Sequence, residues 1–222
     1  MTLLERLKTE TRPAHDRIER ALDIEGRLGS PAAYRALLTR FYGFHAAWEP
    51  LAEAALGDPA FFRERRKAGL LACDLRALGL SEGEIVRLPV CDRLPAMPSP
   101  AAALGSMYVV EGSTLGGTII ARLVERRLGL SAEAGCAYFR SYGPRVGAMW
   151  RAFGTRLLGV SSPEADDAVV AAANRTFAAM ESWLCADPDP KAQPLPPAVR
   201  GTRPASRIAC ARSVPAAAEP RA

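Results

Sequence analysis

Two histidines, His15 and His45, are the only imidazoles in a chain of 222 residues, and they stand 30 residues apart. That spacing leaves no H-E-x-x-H zinc motif. The Glu-x-x-His pair that a di-iron carboxylate bundle uses twice is also missing, and His45-x-x-x-Glu49 is the nearest approach to it. Five cysteines (Cys73, Cys91, Cys136, Cys185 and Cys210) are scattered, odd in number and without a C-x-x-C pair. Such spacing argues against a zinc site and a disulfide framework and fits isolated buried thiols. Ser113 lacks the G-x-S-x-G strand–turn–helix setting of a hydrolase nucleophile.

What remains is one histidine on an apolar edge and one unusual glycine cluster. His15 borders the stripe Leu4, Leu7, Thr11, Ala14, Ile18 and Leu22. It reads either as a partly buried histidine with a hydrogen-bond partner or as an axial ligand to a haem iron held against an apolar surface. His45 carries the same ambiguity, and its aromatic neighbours favour core packing. Gly112, Gly116 and Gly117 sit inside YVVEGSTLGGTIIARL, whose flanks read as a buried helix. Each helical glycine costs about 0.5–1 kcal/mol relative to alanine. The segment is no phosphate loop, having neither the G-x-x-x-x-G-K-[ST] pattern nor a preceding strand. Two readings stay open: close helix–helix packing, or a bare backbone laid against something flat and large.

The elements that must position these residues are helices. Ser30-Pro31, Asp58-Pro59, Ser99-Pro100 and Ser162-Pro163 each set a capping side chain before a proline suited to the first turn. Between these starts the apolar residues step by three or four, as in Tyr34, Leu37, Leu38, Phe41, His45 and Trp48. No period-two alternation marks a strand. The spacing predicts helices over about 2–26, 31–56, 59–78, 100–129, 132–142, 145–159 and 163–186. An all-α, single-domain multihelical bundle is expected over residues 1–186. Residues 187–222, rich in Pro, Ala and Arg, are expected to form a disordered tail.

Composition narrows the partners. Hydrophobic residues make up 49% of the chain, yet no apolar run approaches the ~18–20 residues of a membrane span. The start, MTLLERLKTETR, lacks the basic-then-apolar layout of a signal peptide, so a cytoplasmic protein is expected. Of the net charge of +5, the tail from Asp187 supplies +3 (six basic residues against three acidic). The body is therefore close to neutral, without the single-sign stripe that nucleic-acid binding needs.

Taken together, LLERLKTETRPAHDRIE, RFYGFHAAWEPL and LGSMYVVEGSTLGGTII resemble the haem oxygenases, in particular the bacterial biliverdin-forming subgroup linked to bacteriophytochromes. The resemblance continues through FGTRLLGV and NRTFAAMESWL and covers roughly residues 1–186. It implies a haem oxygenase-like bundle with a kinked distal helix. It implies His15 as the proximal ligand of haem b, which is substrate and prosthetic group at once, and Lys8 as a partner of a haem propionate. Gly112, Gly116 and Gly117 match the distal glycines that let the backbone lie over the porphyrin. Tyr42 matches a tyrosine of the distal water network, and Arg151 falls near another propionate-binding position. The implied products are biliverdin, ferrous iron and carbon monoxide. Electrons would come from a separate reductase or ferredoxin, because the chain has no flavin or nicotinamide fingerprint, and a bacteriophytochrome would accept the biliverdin.

One departure stands out. Many members of the family place Asp directly after the first distal glycine, and here that residue is Ser113. A serine orders water but carries no carboxylate charge, so protons must reach the cavity another way, through added water or through Glu111 turned inward. The same substitution motivates a rival, a haem carrier or sensor that does not turn haem over. A second rival is a different enzyme on a similar helical fold, with a nucleophilic cysteine or a differently furnished pocket.

Overall fold

The computed structural model describes residues 1–186; the tail expected over 187–222 lies outside them. Capping chemistry sets most helix starts. Thr2 opens α1 (Leu3–Glu10) with a reciprocal capping box, its hydroxyl accepting from the Glu5 N–H while Glu5 accepts from the Thr2 N–H. The four cap–proline signals all hold. Ser30 opens α4 (Pro31–Leu56), Asp58 opens α5 (Pro59–Arg63), Ser99 opens α8 (Pro100–Leu128) and Ser162 opens α11 (Pro163–Leu184). In each case the cap side chain accepts from the N–H three residues on. α4 and α8 end on left-handed Gly57 (φ 68°) and Gly129 (φ 67°), conformations that cost glycine nothing.

Two expected helices are subdivided and a third is shortened. The first breaks at Thr11, whose hydroxyl donates to the Leu7 carbonyl at 2.7 Å, and resumes as α2 (Arg12–Leu22) with Pro13 in its first turn. It breaks again at Asp23, which adopts left-handed φ 41° before the short α3 (Ile24–Arg27). The segment after Asp58 splits into α5 and α6 (Ala68–Ala77) because the intervening residues reach α4 instead: the N–H groups of Lys67 and Ala68 donate to Glu49 at 2.6 and 2.8 Å. The expected helix over 132–142 shrinks to α9 (Ala137–Arg140). A turn at Ser131–Gly135 precedes it and positive-φ Ser141 follows it. One helix was not anticipated, α7 (Glu82–Val86), a single capped turn started by Ser81 and Glu84. α10 (Val146–Leu158) matches expectation. The architecture is all-α; among the described residues no strand forms and no helix is long and apolar enough to cross a membrane.

α8 and α11 form the central packed pair. Their crossing is close because Gly105 has no side chain: a Cβ there would stand 2.1 Å from the Val169 carbonyl oxygen. The next residue, Ser106 of α8, accepts from the Trp48 indole of α4 at 2.7 Å and from Thr176 of α11 at 2.8 Å, joining three helices in the core. α8 stays helical through Gly112, Gly116 and Gly117, so the kink expected there does not interrupt it. The hydroxyls of Ser113, Thr114 and Thr118 donate to carbonyls three residues back, a pattern that lets a helix curve while remaining bonded.

The Gly105 contact is testable. Gly105→Ala should raise local helix propensity, yet the steric conflict dominates, and a net loss of about 1–3 kcal/mol is expected in chemical denaturation. A neutral or stabilising result would mean that α8 and α11 do not cross as described.

Candidate functional site

A cavity of about 540 Å³ opens between α2 and α8, with α11 as its floor and α9 and α10 closing one end. Its size falls in the range of small-molecule sites. Its lining is mostly apolar, with Phe41, Phe139, Trp150, Phe177 and Met180 among the large side chains.

The cavity brings together six of the residues singled out in the sequence: Lys8 and His15 on the α1–α2 side, and Gly112, Ser113, Gly116 and Gly117 on α8. His15 is half-exposed, and its ring meets Phe177 edge-on with centroids 5.9 Å apart. Its Nδ1 stands 3.4 Å from Glu19 Oε2 and 3.7 Å from Asp16 Oδ1. A carboxylate on Nδ1 fixes the tautomer that leaves Nε2 unprotonated, which is the arrangement a metal-ligating histidine needs. His15, Asp16 and Glu19 hold ligand atoms within 4.8 Å of one another, but Asp16 is already engaged by Arg12 at 2.7 Å. Glu19 was the readable partner, since a residue four positions on shares the helix face.

The glycines divide into two kinds. At Gly116 a Cβ would meet nothing within 4 Å, and at Gly112 only the Trp150 ring at 3.7 Å. Being four apart, these two share one face, which presents bare backbone. Gly117 is different: its Cβ would stand 3.1 Å from the Phe139 carbonyl oxygen, so there the missing side chain serves the packing of α8 on α9. Close packing thus accounts for Gly117, while Gly112 and Gly116 present backbone beside the cavity.

Two expected site residues do not line the cavity. Tyr42 is turned off it, and Phe41 takes that place. Arg151 is exposed on α10, and its neighbour Trp150 forms the wall. Successive helical residues point about 100° apart, so the correct segment with the wrong neighbour gives the wrong face. Arg12 and Tyr138 line the cavity without having been anticipated. Glu111 does not turn inward: it is buried against α9–α10 and the segment after α5. It accepts from the Tyr142 hydroxyl at 2.7 Å, with Lys67 Nζ at 3.8 Å and Arg65 Nε at 3.7 Å.

A buried polar cluster adjoins the cavity, and its Lys67 is part of the lining. Burial pushes the Lys67 amine down to about 8, against the attraction of Glu111 and Glu49. Burial would raise Glu49, but His45 and the Lys67 and Ala68 N–H groups together hold it below the usual carboxylate range. Asp74 of α6 accepts from the N–H groups of Ala137 and Tyr138 at 2.7 and 2.8 Å, anchoring the start of α9, and burial pushes its carboxyl up to about 7.

The heme oxygenase family model matches residues 1–186 of the chain. A heme oxygenase from Xanthomonas campestris pv. campestris (strain 8004) is 33% identical over 129 residues, covering 57% of this chain and 72% of that protein. Among solved structures, the NO- and CO-bound heme oxygenase of Neisseria meningitidis superposes with a TM-score of 0.71 at 23% identity, over 83% of this chain and 90% of that one. Heme oxygenase 2 of Chlamydomonas reinhardtii without heme gives 0.70 at 19% identity, over 86% and 100%. The heme oxygenase of Leptospira interrogans gives 0.68 at 16%, over 83% and 99%.

Two stability measurements check this geometry. Gly116→Ala, with open space at its Cβ, should gain about 0.5–1 kcal/mol, whereas Gly117→Ala should gain nothing or lose stability against Phe139. The Asp74 carboxyl, raised in the folded chain above its unfolded value near 3.8, gives up stability as pH rises from about 4 to about 7. Wild type should therefore lose stability relative to Asp74→Asn across that interval in urea titrations, and parallel curves would contradict the burial of a titrating carboxyl.

Proposed function

We propose, from the premise that the chain belongs to the haem oxygenase family and is an oxidoreductase that degrades haem, that it opens the ring to give biliverdin, ferrous iron and carbon monoxide. The observation that carries this reading is the bare face of α8 at Gly112 and Gly116, set across the cavity from His15. A flat macrocycle needs backbone contact without side chains on one face and a ligand on the other, and the residues present fit haem b in both respects.

His15 would hold the iron through Nε2, with Glu19 beside Nδ1 fixing the orientation of the ring. Lys8, joined by Arg12, places positive charge at the exposed rim, where the two propionates would emerge, and so governs rotation of the ring in its plane. Neither Tyr42 nor Arg151 retains its expected role in this reading. Phe41, Phe139, Trp150 and Phe177 keep bulk water from the ring. Gly112 and Gly116 bring the α8 backbone to contact distance over the other face, and holding reacting groups at that distance lowers a barrier by several kcal/mol. Haem, when bound, supplies both the redox-active iron and the carbon that is oxidised.

The absence of flavin and nicotinamide fingerprints supports a separate electron donor, a reductase or ferredoxin. The G-S-T-L-G-G sequence at residues 112–117 supports assignment to the phytochrome-linked subgroup. A bacteriophytochrome would then accept the product, in the cytoplasm.

A haemin titration followed by reductant in air tests the reading. Saturable one-to-one binding is expected, then loss of the haem absorbance and growth of a red-absorbing product. His15→Ala should lose that spectrum and Glu19→Gln should weaken binding roughly tenfold, while Gly116→Ala should bind poorly despite its greater stability. A haem spectrum that persists under reductant would identify a carrier or sensor instead. No binding would remove haem from the account altogether.

A further inference from the structure

We propose that the ion pair between Glu25 and Arg127 is a clasp on the cavity, opening to let the haem ring enter and its product leave. The inference deepens the haem oxygenase reading and rests on it. It starts from how the two walls are joined. Among the described residues, two polar contacts link the chain from Leu3 to Leu28 with α8. At one end the Tyr108 phenol pairs with the Thr11 hydroxyl. At the other, Arg127 donates from one Nη to the Glu25 carbonyl at 3.0 Å and from the second to the Glu25 carboxylate at 2.9 Å. His15 lies between Thr11 and Glu25 along one wall, and Gly112 and Gly116 lie between Tyr108 and Arg127 along the other. The two ties bracket the site.

The ties differ in kind. Thr11 is buried and also donates to the Leu7 carbonyl, so that end is fixed. The Glu25 and Arg127 side chains keep 74% and 39% exposure, and an exposed ion pair is weak and screened by salt. The turn that carries Glu25 is shaped to reach α8. Asp23 ends α2 in a left-handed conformation (φ 41°), uncommon for a residue with a side chain. Its carboxylate folds back to accept from the Gly26 N–H at 3.2 Å. A Cβ at Gly26 would stand 2.2 Å from that carboxylate, so the turn needs glycine there. Ile24 is thereby set in the cavity lining with Leu22, while the next residue pairs with α8.

The part that swings is α3. The end of α8 stays in place, because Glu125 accepts from Arg140 of α9 at 2.7 Å. On the other side of the turn, Arg27 donates to the carbonyls of Leu22 at 3.1 Å and Leu184 at 3.4 Å. These are helix-end carbonyls, which water can satisfy in its place. Once Arg127 lets go, the four-residue turn pivots at Asp23, where the backbone is already strained. Ile24 then leaves the lining, and the cavity widens at the end away from Thr11.

Stopped-flow mixing with haemin measures entry, and transfer of bound haemin to excess apomyoglobin measures exit. Glu25→Gln and Arg127→Gln should each speed both steps by about two- to fivefold. Affinity should not change, because the clasp is closed in the free and in the loaded protein. The double variant should go no faster than Arg127→Gln alone. Added salt should speed wild type toward the variants, so that the ratio of their rates shrinks toward one. In haem-free variants, amide exchange should quicken over residues 24–28 and stay unchanged at Ser106. Unchanged rates would overturn the clasp alone. So would a faster exit with unchanged entry, which marks a contact with the bound ring and not a gate. A wild type that takes up no haemin would overturn the proposed function, and the clasp with it.

Discussion

The structure depends on the docking of two different helices on α11. Its Val169 backbone and its Thr176 hydroxyl lock α8, through the Gly105–Val169 contact and the Ser106–Thr176 hydrogen bond. The same helix carries Phe177, Met180 and Leu184, which floor the cavity, and Phe177 meets His15 of α2 edge-on. The separation between α2 and α8 is thus set by a third element that both must touch. A cavity lined by apolar side chains tends to collapse. Here the walls are each held from behind, which opposes that collapse.

The glycines of α8 show how one residue type serves opposite ends along a single helix. At Gly105 and Gly117 the missing Cβ lets backbone approach backbone; at Gly112 and Gly116 it leaves open space. The first kind raises stability through contact. The second lowers it, by about 0.5–1 kcal/mol per residue, and retains a surface that no side chain could present. The buried end of α8 offsets this weakness: Ser99 caps it and the Trp48–Ser106–Thr176 junction anchors it. A helix anchored at one end can carry a weakened stretch at the other.

Much of this was legible in the sequence, and the failures share a cause. Ser-Pro and Asp-Pro starts located α4, α5, α8 and α11 because a cap acts within three residues of itself. The breaks at Lys67 and around α9 were not legible, since Glu49 and Asp74 satisfy their N–H groups from 18 and 63 residues away. His15 and the glycines were found by type and spacing. Tyr42 and Arg151 were each one residue from the side chain that lines the cavity, because helical periodicity gives the faces of a helix but not which face meets the void. Tyr138 carried no local signal at all: it sits in a four-residue helix whose position is fixed by Asp74.

The buried ionisable cluster is the costliest feature of the fold, and its placement argues for use. Burying Lys67, Glu111, Arg65 and Glu49 requires desolvation that an ion pair rarely recovers, and apolar residues of similar volume would serve packing as well or better. The contacts are loose, with Lys67 and Arg65 both more than 3.5 Å from Glu111, and Arg65 Nε and Glu111 Oε2 make no hydrogen bond in the structure. A cluster optimised for stability would close those gaps.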